Sequence, residues 1–478
     1  MSAADSQLVQ QVVAQVLAKL GTVNAPAVAA PPTAALSGGD GVFTDVDSAV
    51  QAATAAQQKL AAMGLETRDG ICKLIKKLAA DNAQAWGQFE LDETKVGRLD
   101  HKIAKLELLA SVPGVCFIRA HGTAAHSGDE GISLDEAAPF GVIGCITPVT
   151  HSIPTMSANA ISMIASGNAL VVNPHPSASK SAALAARAYN QAIESAFNVG
   201  PLICVIDPPT LESASSIFRH RDIPLLVVTG GPAVARAALK QPKRAIVAGP
   251  GNPPVVVDET ADLDNAARSI LDGAAFDNNL LCIGEKEVFV VEAVFDQMLA
   301  AMERAGAMRL NDAQVIRLTE AAFDWKKDHH VVSKDLVGKD PQVLGKAAGV
   351  DVPADVELLF GVTDDTNPFV PEEQMMPFVP FVKVRDFEQA LAMALKHEHG
   401  FGHTAIIHSN NLANISRMGK AMNTTIFVAN GPCTAGLGIG GEGYPSYSIA
   451  TPTGEGITNP LTFTRFRRNT VAGALRIV

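Results

Sequence analysis

Six cysteines, Cys72, Cys116, Cys145, Cys204, Cys282 and Cys433, are scattered along the 478-residue chain without a Cys-x-x-Cys pair. Cys282 has the most unusual setting, in Phe276-Asp277-Asn278-Asn279-Leu280-Leu281-Cys282-Ile283-Gly284-Glu285-Lys286, directly ahead of an apolar run. A loop there presents a thiol, but the nucleophile is the thiolate, which nearby positive charge and backbone N–H groups favour and apolar burial opposes. Against that stands the common fate of such residues, since most cysteines of an intracellular enzyme are small core side chains. A second chemical feature is Thr229-Gly230-Gly231-Pro232, a glycine turn after a buried apolar run, with proline suited to the first turn of a helix. Free N–H groups at that helix start would attract a pyrophosphate, although the turn lacks the G-x-G-x-x-G fingerprint and reads equally well as a plain turn. His397, His399, His403 and His408 span a helix end, a glycine loop and a strand with no carboxylate or cysteine at ligand spacing, so no metal is expected. Gly436-Leu437-Gly438-Ile439-Gly440-Gly441-Glu442-Gly443 lacks the Lys-Ser/Thr ending of a phosphate loop.

Elements that would position these residues alternate along the chain. From Phe140 onward, short β-branched runs alternate with helical stretches, the pattern of parallel strands joined by crossovers. Strands are expected at Gly141–Ile146, Ala169–Val172, Leu202–Ile206, Leu225–Val228 and Ala245–Val247, with helices after Thr155, Ser177, Thr210 and Pro232. This half reads as a dinucleotide-binding fold. A second set, Val255–Val257, Glu287–Val291, Thr404–His408 and Thr424–Val428, alternates with helical text at Asp262–Ala275 and Phe387–Lys396 and predicts a second α/β domain. The stretches His121–Glu136 and Thr462–Val478 fit neither core and read as arms through which subunits pair.

Composition sets outer bounds. Apolar residues make up 47% against 18% charged, a globular balance able to fill a large core. The formal net charge of −11 argues against general nucleic-acid binding, which needs a Lys/Arg surface. The cysteine spacing suits a reducing compartment, and no apolar run is long enough for a membrane span or arranged as a secretion signal. At the start, Leu8, Val9, Val12, Val13, Val16, Leu17 and Leu20 fall on one helical face, followed by an Ala/Pro/Gly tether over 21–40. A tethered amphipathic helix of this kind is expected to dock on another surface, with packing on its own subunit as the alternative.

The segment Asn278-Asn279-Leu280-Leu281-Cys282-Ile283-Gly284-Glu285-Lys286-Glu287-Val288 resembles the nucleophile segment of the aldehyde dehydrogenase superfamily, and more closely its CoA-acylating branch. That branch includes the propionaldehyde and acetaldehyde dehydrogenases of bacterial microcompartments. The likeness runs from about Thr44 to Phe466 and is strongest at 141–175, 248–254, Cys282 and 430–466. It implies an α/β fold of aldehyde dehydrogenase type. A Rossmann-type NAD-binding domain would span 41–250 with an arm at 121–136, and a catalytic domain 251–445. A C-terminal oligomerisation segment would span 446–478. It implies that Cys282 attacks the aldehyde, that hydride passes to NAD, and that a thioacyl-enzyme remains. Hydrolytic relatives carry a water-activating glutamate where this chain has Ala248, and alanine cannot act as a base, so coenzyme A is the expected acyl acceptor.

By the same resemblance the dinucleotide lies against Ile146, Thr147, Pro148, Val149, Asn173, Pro174, His175, Thr229, Gly230, Gly231 and Gly249, and Glu373 holds the nicotinamide ribose. As bare text Glu372-Glu373 before a proline reads as a solvated loop. His151 stands where the family usually has asparagine; it is a candidate oxyanion donor together with the Cys282 N–H, or else a histidine that supports the site from behind. The helix at residues 5–20 resembles an encapsulation peptide, which would place the enzyme in the cytoplasm within a microcompartment lumen, bound to a shell protein. A homodimer or homotetramer is implied, without nucleic acid or membrane. A hydrolytic aldehyde dehydrogenase, a non-catalytic NAD-binding cargo protein and a phosphate-dependent semialdehyde reductase are the rival readings. Acetaldehyde, propionaldehyde and lactaldehyde are not distinguished, because one methylene is worth only ~1–3 kcal/mol in a pocket.

Overall fold

A computed structural model describes residues 40–326 and 329–475. The amphipathic helix expected at 5–20, and its tether apart from Asp40, lie outside the described residues. Two parallel sheets form the frame of the protein. The first has six strands in the spatial order Val42–Phe43, Ile203–Ile206, Ala169–Pro174, Val142–Thr147, Leu225–Thr229, Arg244–Ala248. The second has seven, in the order Met308–Leu310, Leu359–Thr363, Phe378–Val384, Glu287–Val291, Pro254–Val257, Thr404–His408, Ile426–Ala429. Every pairing within these two sheets is parallel.

The central strands are apolar on both faces because helices cover both. All six residues of Val142–Thr147 and of Ala169–Pro174 are buried, as are all fourteen of the helix Ser152–Ala165. Each fully buried Val, Leu or Ile among them contributes roughly 1.5–3 kcal/mol. The helix expected after Thr155 begins at Ser152. Glu90, from the helix Ala83–Thr94, accepts the N–H groups of Ser152 and Ile153 at 3.0 and 3.4 Å and so caps the first turn from outside. Other helices cap themselves. Thr210 and Ser213 form a reciprocal box ahead of Leu211–Arg219, and the Asp262 and Asp386 side chains cap Leu263–Ala275 and Phe387–His397.

In the first sheet the chain runs outward from Val142–Thr147 in one direction and then resumes on its other side with Leu225–Thr229. This reversal leaves a crevice at the carboxyl ends of those two strands, where open α/β sheets bind ligands. The two stretches that fit neither sheet pair with each other. Thr123–Gly128, Gly131–Pro139 and Thr464–Ala472 form a three-stranded antiparallel sheet, with Glu136 opposite both Thr123 and Arg467. Phe466 and Val471 are exposed on this arm.

Three second-sheet strands have no counterpart in the sequence reading: Met308–Leu310, Leu359–Thr363 and Phe378–Val384. The last contains Pro380, which ordinarily argues against an interior strand. Here it stands opposite Gly361 of the neighbouring strand. The strand read at Thr424–Val428 starts two residues later, at Ile426, because the Thr424 hydroxyl bonds the Ile426 carbonyl in a turn.

Candidate active site

Cys282 follows three consecutive residues in the left-handed region, Asp277, Asn278 and Asn279, with φ of 51°, 56° and 62°. Asparagine and aspartate tolerate that conformation better than other side chains, but three in a row persist only when the surroundings hold them. They are held at every residue. The Asp277 carboxylate accepts from the Arg98 backbone N–H at 2.9 Å and from the buried Lys105 ammonium at 2.5 Å. The Asn278 side chain donates to Gly338 O at 3.0 Å and to Asp340 at 2.9 Å. The Asn279 side chain donates to Glu285 O at 2.9 Å and accepts from the Lys286 ammonium. Gly97 approaches Asp277 so closely that a Cβ there would stand 2.2 Å from the carboxylate.

Gly251 gathers the rest of the site. A Cβ at this position would stand 2.4 Å from Cys282 O and 3.0 Å from the His403 ring, so only glycine fits between them. Its N–H is near enough to the Glu373 carboxylate to help stabilise the charged form. Cys282 and Glu373 each keep some exposed surface, yet their ionisable atoms lie deep among protein atoms, as in a narrow cleft. Burial pushes the Cys282 thiol up to about 12, with Glu373 adding to the shift and Lys286 opposing it. Burial likewise raises Glu373 to about 6, against the pull of Lys286 and the Gly251 N–H.

In the sequence His403 is one of a dispersed histidine series, and the fold brings it to Cys282. It is fully buried, its Nδ1 lies 2.9 Å from Thr404 Oγ1, and its Nε2 has no partner. Burial, with Lys286 nearby, lowers it to about 4, so the ring is neutral at physiological pH. Only the tertiary fold, through Gly251, gives the signal that singles it out from His397 and His408.

His151 immediately precedes the helix Ser152–Ala165. It is buried, with Nδ1 2.8 Å from Thr150 Oγ1 and its ring 5.8 Å from that of Tyr447. Burial, followed by Lys105 and Lys102, holds it well below the usual histidine range, so it too is neutral. Lys105 links this segment to the cysteine loop, donating to Thr150 O at 3.2 Å as well as to Asp277.

Residues expected to hold a dinucleotide lie along the crevice of the first sheet. Ile146 and Thr147 end the strand Val142–Thr147, and Pro148 and Val149 continue from it. His175 N–H donates to Thr147 O at 3.0 Å, bringing Asn173-Pro174-His175 alongside. The Thr147 hydroxyl is buried without a partner. Thr229 ends Leu225–Thr229, Gly231 caps the helix Pro232–Leu239, and neither Gly230 nor Gly231 has any atom within 4 Å of where a Cβ would stand. A strand end, open glycines and a free helix start fit a pyrophosphate, and the orphaned Thr147 hydroxyl fits a polar ligand atom. Gly249 is placed differently. A Cβ there would meet the Pro452 ring at 2.7 Å, so this glycine serves close packing on the C-terminal segment.

The profile of the aldehyde dehydrogenase family matches residues 35–444. The acetylating acetaldehyde dehydrogenase EutE of Salmonella typhimurium is 41% identical over 477 residues, covering 99% of this chain and all of that protein. Among solved structures, Rhodopseudomonas palustris propionaldehyde dehydrogenase with bound coenzyme A and an acylated cysteine superposes with a TM-score of 0.88 at 38% identity, covering 92% of this chain and 100% of that one. A propionaldehyde dehydrogenase from the fucose-utilisation microcompartment of Clostridium phytofermentans gives a TM-score of 0.88 at 40% identity, with the same coverage.

Proposed function

The chain belongs to the aldehyde dehydrogenase family, and from that premise we propose that it oxidises a short-chain aldehyde with NAD+ and coenzyme A to acyl-CoA and NADH through a thioacyl intermediate on Cys282. The observation that carries this reading is the meeting, at Gly251, of the Cys282 backbone carbonyl with a neutral imidazole whose Nε2 has no partner and is free to accept a proton. Cys282 gives its thiol proton to His403 Nε2, which passes it to solvent, and Sγ bonds the aldehyde carbon, so that the carbonyl oxygen becomes an oxyanion. The Cys282 N–H, and a ring N–H of His151 when Thr150 serves as donor to Nδ1, are the groups we assign to hold that charge. NAD+, when bound, supplies the hydride acceptor. Loss of hydride leaves a thioester on Cys282. Ala248, at the edge of the first sheet, offers no base to activate water there. The CoA thiol gives its proton to His403 Nε2 and attacks the thioester carbon, Cys282 leaves as thiolate, and one thioester replaces another at little free-energy cost.

The cofactor assignment extends to the first sheet unit, residues 41–250, with catalysis assigned to 251–445 and the arm at 121–136 and 446–478 to subunit pairing. The exposed apolar side chains on that arm support a homodimer or homotetramer. The microcompartment origin of a solved relative supports a place in a microcompartment lumen, with residues 5–20 as the contact to shell protein. Deleting residues 1–20 then abolishes co-purification with shells, and unaltered loading refutes that placement. For the chemistry, propionaldehyde and NAD+ without coenzyme A give one NADH per active site and a propionyl adduct on Cys282 by peptide mass mapping. An adduct on another residue, or none, overturns the assignment.

A further inference from the structure

Lys286 is fully buried, and its ammonium has three acceptors: Asn279 O at 2.8 Å, Leu281 O at 3.2 Å and Asn279 Oδ1. Three acceptors match the three protons of an ammonium, whereas a neutral amine has only two to give. Two of these acceptors are backbone carbonyls of the loop that ends in Cys282, and the third belongs to the last of its left-handed residues. The Lys286 backbone ties in the other segments of the site. Its N–H donates to Pro253 O at 3.1 Å, just past Gly251, and its carbonyl accepts from the Gln374 side chain at 3.3 Å, next to Glu373.

The ionisable groups facing Lys286 are Glu373, Cys282, Cys433, Glu285, Glu287 and His403. Burial pushes Glu285 up to about 7 and Glu287 well above the carboxylate range, so neither is a full counter-charge at neutral pH. Cys433 is held well above the usual thiol range and His403 is neutral. Burial lowers Lys286 from the ordinary lysine value, opposed first by Glu373 and then by Cys282, and its three acceptors hold it as the ammonium; the charges left in this interior are then Lys286, Glu373 and, when it ionises, Cys282. At the start of the loop Lys105 is matched by Asp277, and Lys102 faces Glu90 at 3.7 Å.

We propose that Lys286 is a positioning residue for Cys282: its ammonium fixes the nucleophile loop through the Asn279 and Leu281 carbonyls and supplies the cation that balances the Cys282 thiolate. The same cation serves twice if the acyl-transfer reading holds, on which this role rests. It favours the thiolate that attacks the aldehyde, and it favours the same thiolate as leaving group when the acyl chain passes to coenzyme A. A lysine that merely filled space or capped a turn would do neither.

The test separates charge from hydrogen bonding. Lys286→Gln keeps N–H donors to the loop and removes the cation. The pH dependence of Cys282 alkylation by iodoacetamide, read by peptide mass mapping on full-length enzyme without substrate, is compared for wild type, Lys286→Gln and Lys243→Gln, the last a lysine that donates to the His220 and Ile223 carbonyls ahead of the strand Leu225–Thr229. The alkylation midpoint in Lys286→Gln rises by about one pH unit, a tenfold loss of thiolate below it, while Lys243→Gln shifts it by much less. A folded Lys286→Gln enzyme with an unmoved midpoint overturns the proposal, as does an equal shift in both variants. Should Lys286→Gln fail to fold, Asn279→Gly decides. Glycine takes the left-handed backbone without strain and removes one acceptor while leaving the charge. The NADH burst then slows about tenfold at an unmoved midpoint, and an unchanged burst refutes the positioning role. Alkylation requires no aldehyde or coenzyme A, so its outcome is independent of whether the acylating reaction is correctly assigned.

Discussion

The two glycine-bearing turns of this molecule, Gly230-Gly231 at the first sheet and Gly251 beside Cys282, are built on opposite principles. At the first, the space where a Cβ would stand is empty, and the turn gains its chemistry from backbone alone: a strand end, a helix start and unpaired N–H groups. At the second, a carbonyl and an imidazole crowd the same space, and the surroundings carry buried charge: the Lys105–Asp277 ion pair, and Lys286 bound to the cysteine loop with Glu373 in its field. Topology alone can offer a place for an anion. A nucleophile needs side-chain electrostatics and a strained backbone held from several directions at once.

That contrast orders the expected effects of substitution. The largest falls on the buried ion pair that anchors the cysteine loop. Lys105→Met leaves Asp277 charged without its partner in a dry interior, at a cost of about 3–5 kcal/mol, read by urea denaturation; a cost below about 1 kcal/mol would mean the loop is held by its backbone contacts alone. Next comes Gly251→Ala. The added methyl displaces the Cys282 carbonyl or His403 and lowers kcat by about 10²-fold, read from steady-state NADH formation with coenzyme A.

A pH titration of stability sharpens the electrostatic half of the comparison. Burial raises Glu285 to about 7, whereas the unfolded chain releases that proton near pH 4.5. The folded state therefore binds the extra proton between these values, and stability is lost as pH rises through that window. Glu285→Gln removes the loss, so at pH 8 the variant is more stable than wild type by on the order of 2 kcal/mol, and the difference closes toward pH 4.5. A constant difference at every pH would place the effect in packing instead. The smallest change is expected at the open turn. Gly231→Ala fits without a clash and leaves the melting temperature alone, but its methyl stands where a phosphate would approach and raises the KM for NAD+ about tenfold.

The same contrast explains what could be read from the sequence. Five of the six first-sheet strands are short apolar runs that the text marks to within a residue or two, whereas the two-residue edge strand Val42–Phe43 is too short to read; Glu287–Val291 and Thr404–His408 have the expected bounds. Phe378–Val384 is hidden by Pro380, whose penalty as an interior strand residue local pattern cannot waive. The arms at His121–Glu136 and Thr462–Val478 are legible only as stretches that fit no core, because their pairing is to each other across more than 300 residues. His403 and Lys286 escape a sequence reading for a different reason. Lys286 lies within the nucleophile segment but nothing in the text gives it a role, and His403 lies in no such pattern; each gains its role from what packs around it: His403 from the carbonyl and glycine opposite, Lys286 from three acceptors on the loop. Glu373 reads as a solvated loop residue for the same cause, since only the tertiary fold shields its carboxylate.

Steady-state NADH formation from propionaldehyde, with and without coenzyme A and with mass detection of the products, tests the central claim most directly. The account predicts sustained turnover only with coenzyme A, yielding propionyl-CoA and lost in Cys282→Ala. Sustained turnover to free propionate without coenzyme A would contradict it, because another group, with Glu373 the first to examine, would then be activating water at a thioester that Ala248 leaves unattended.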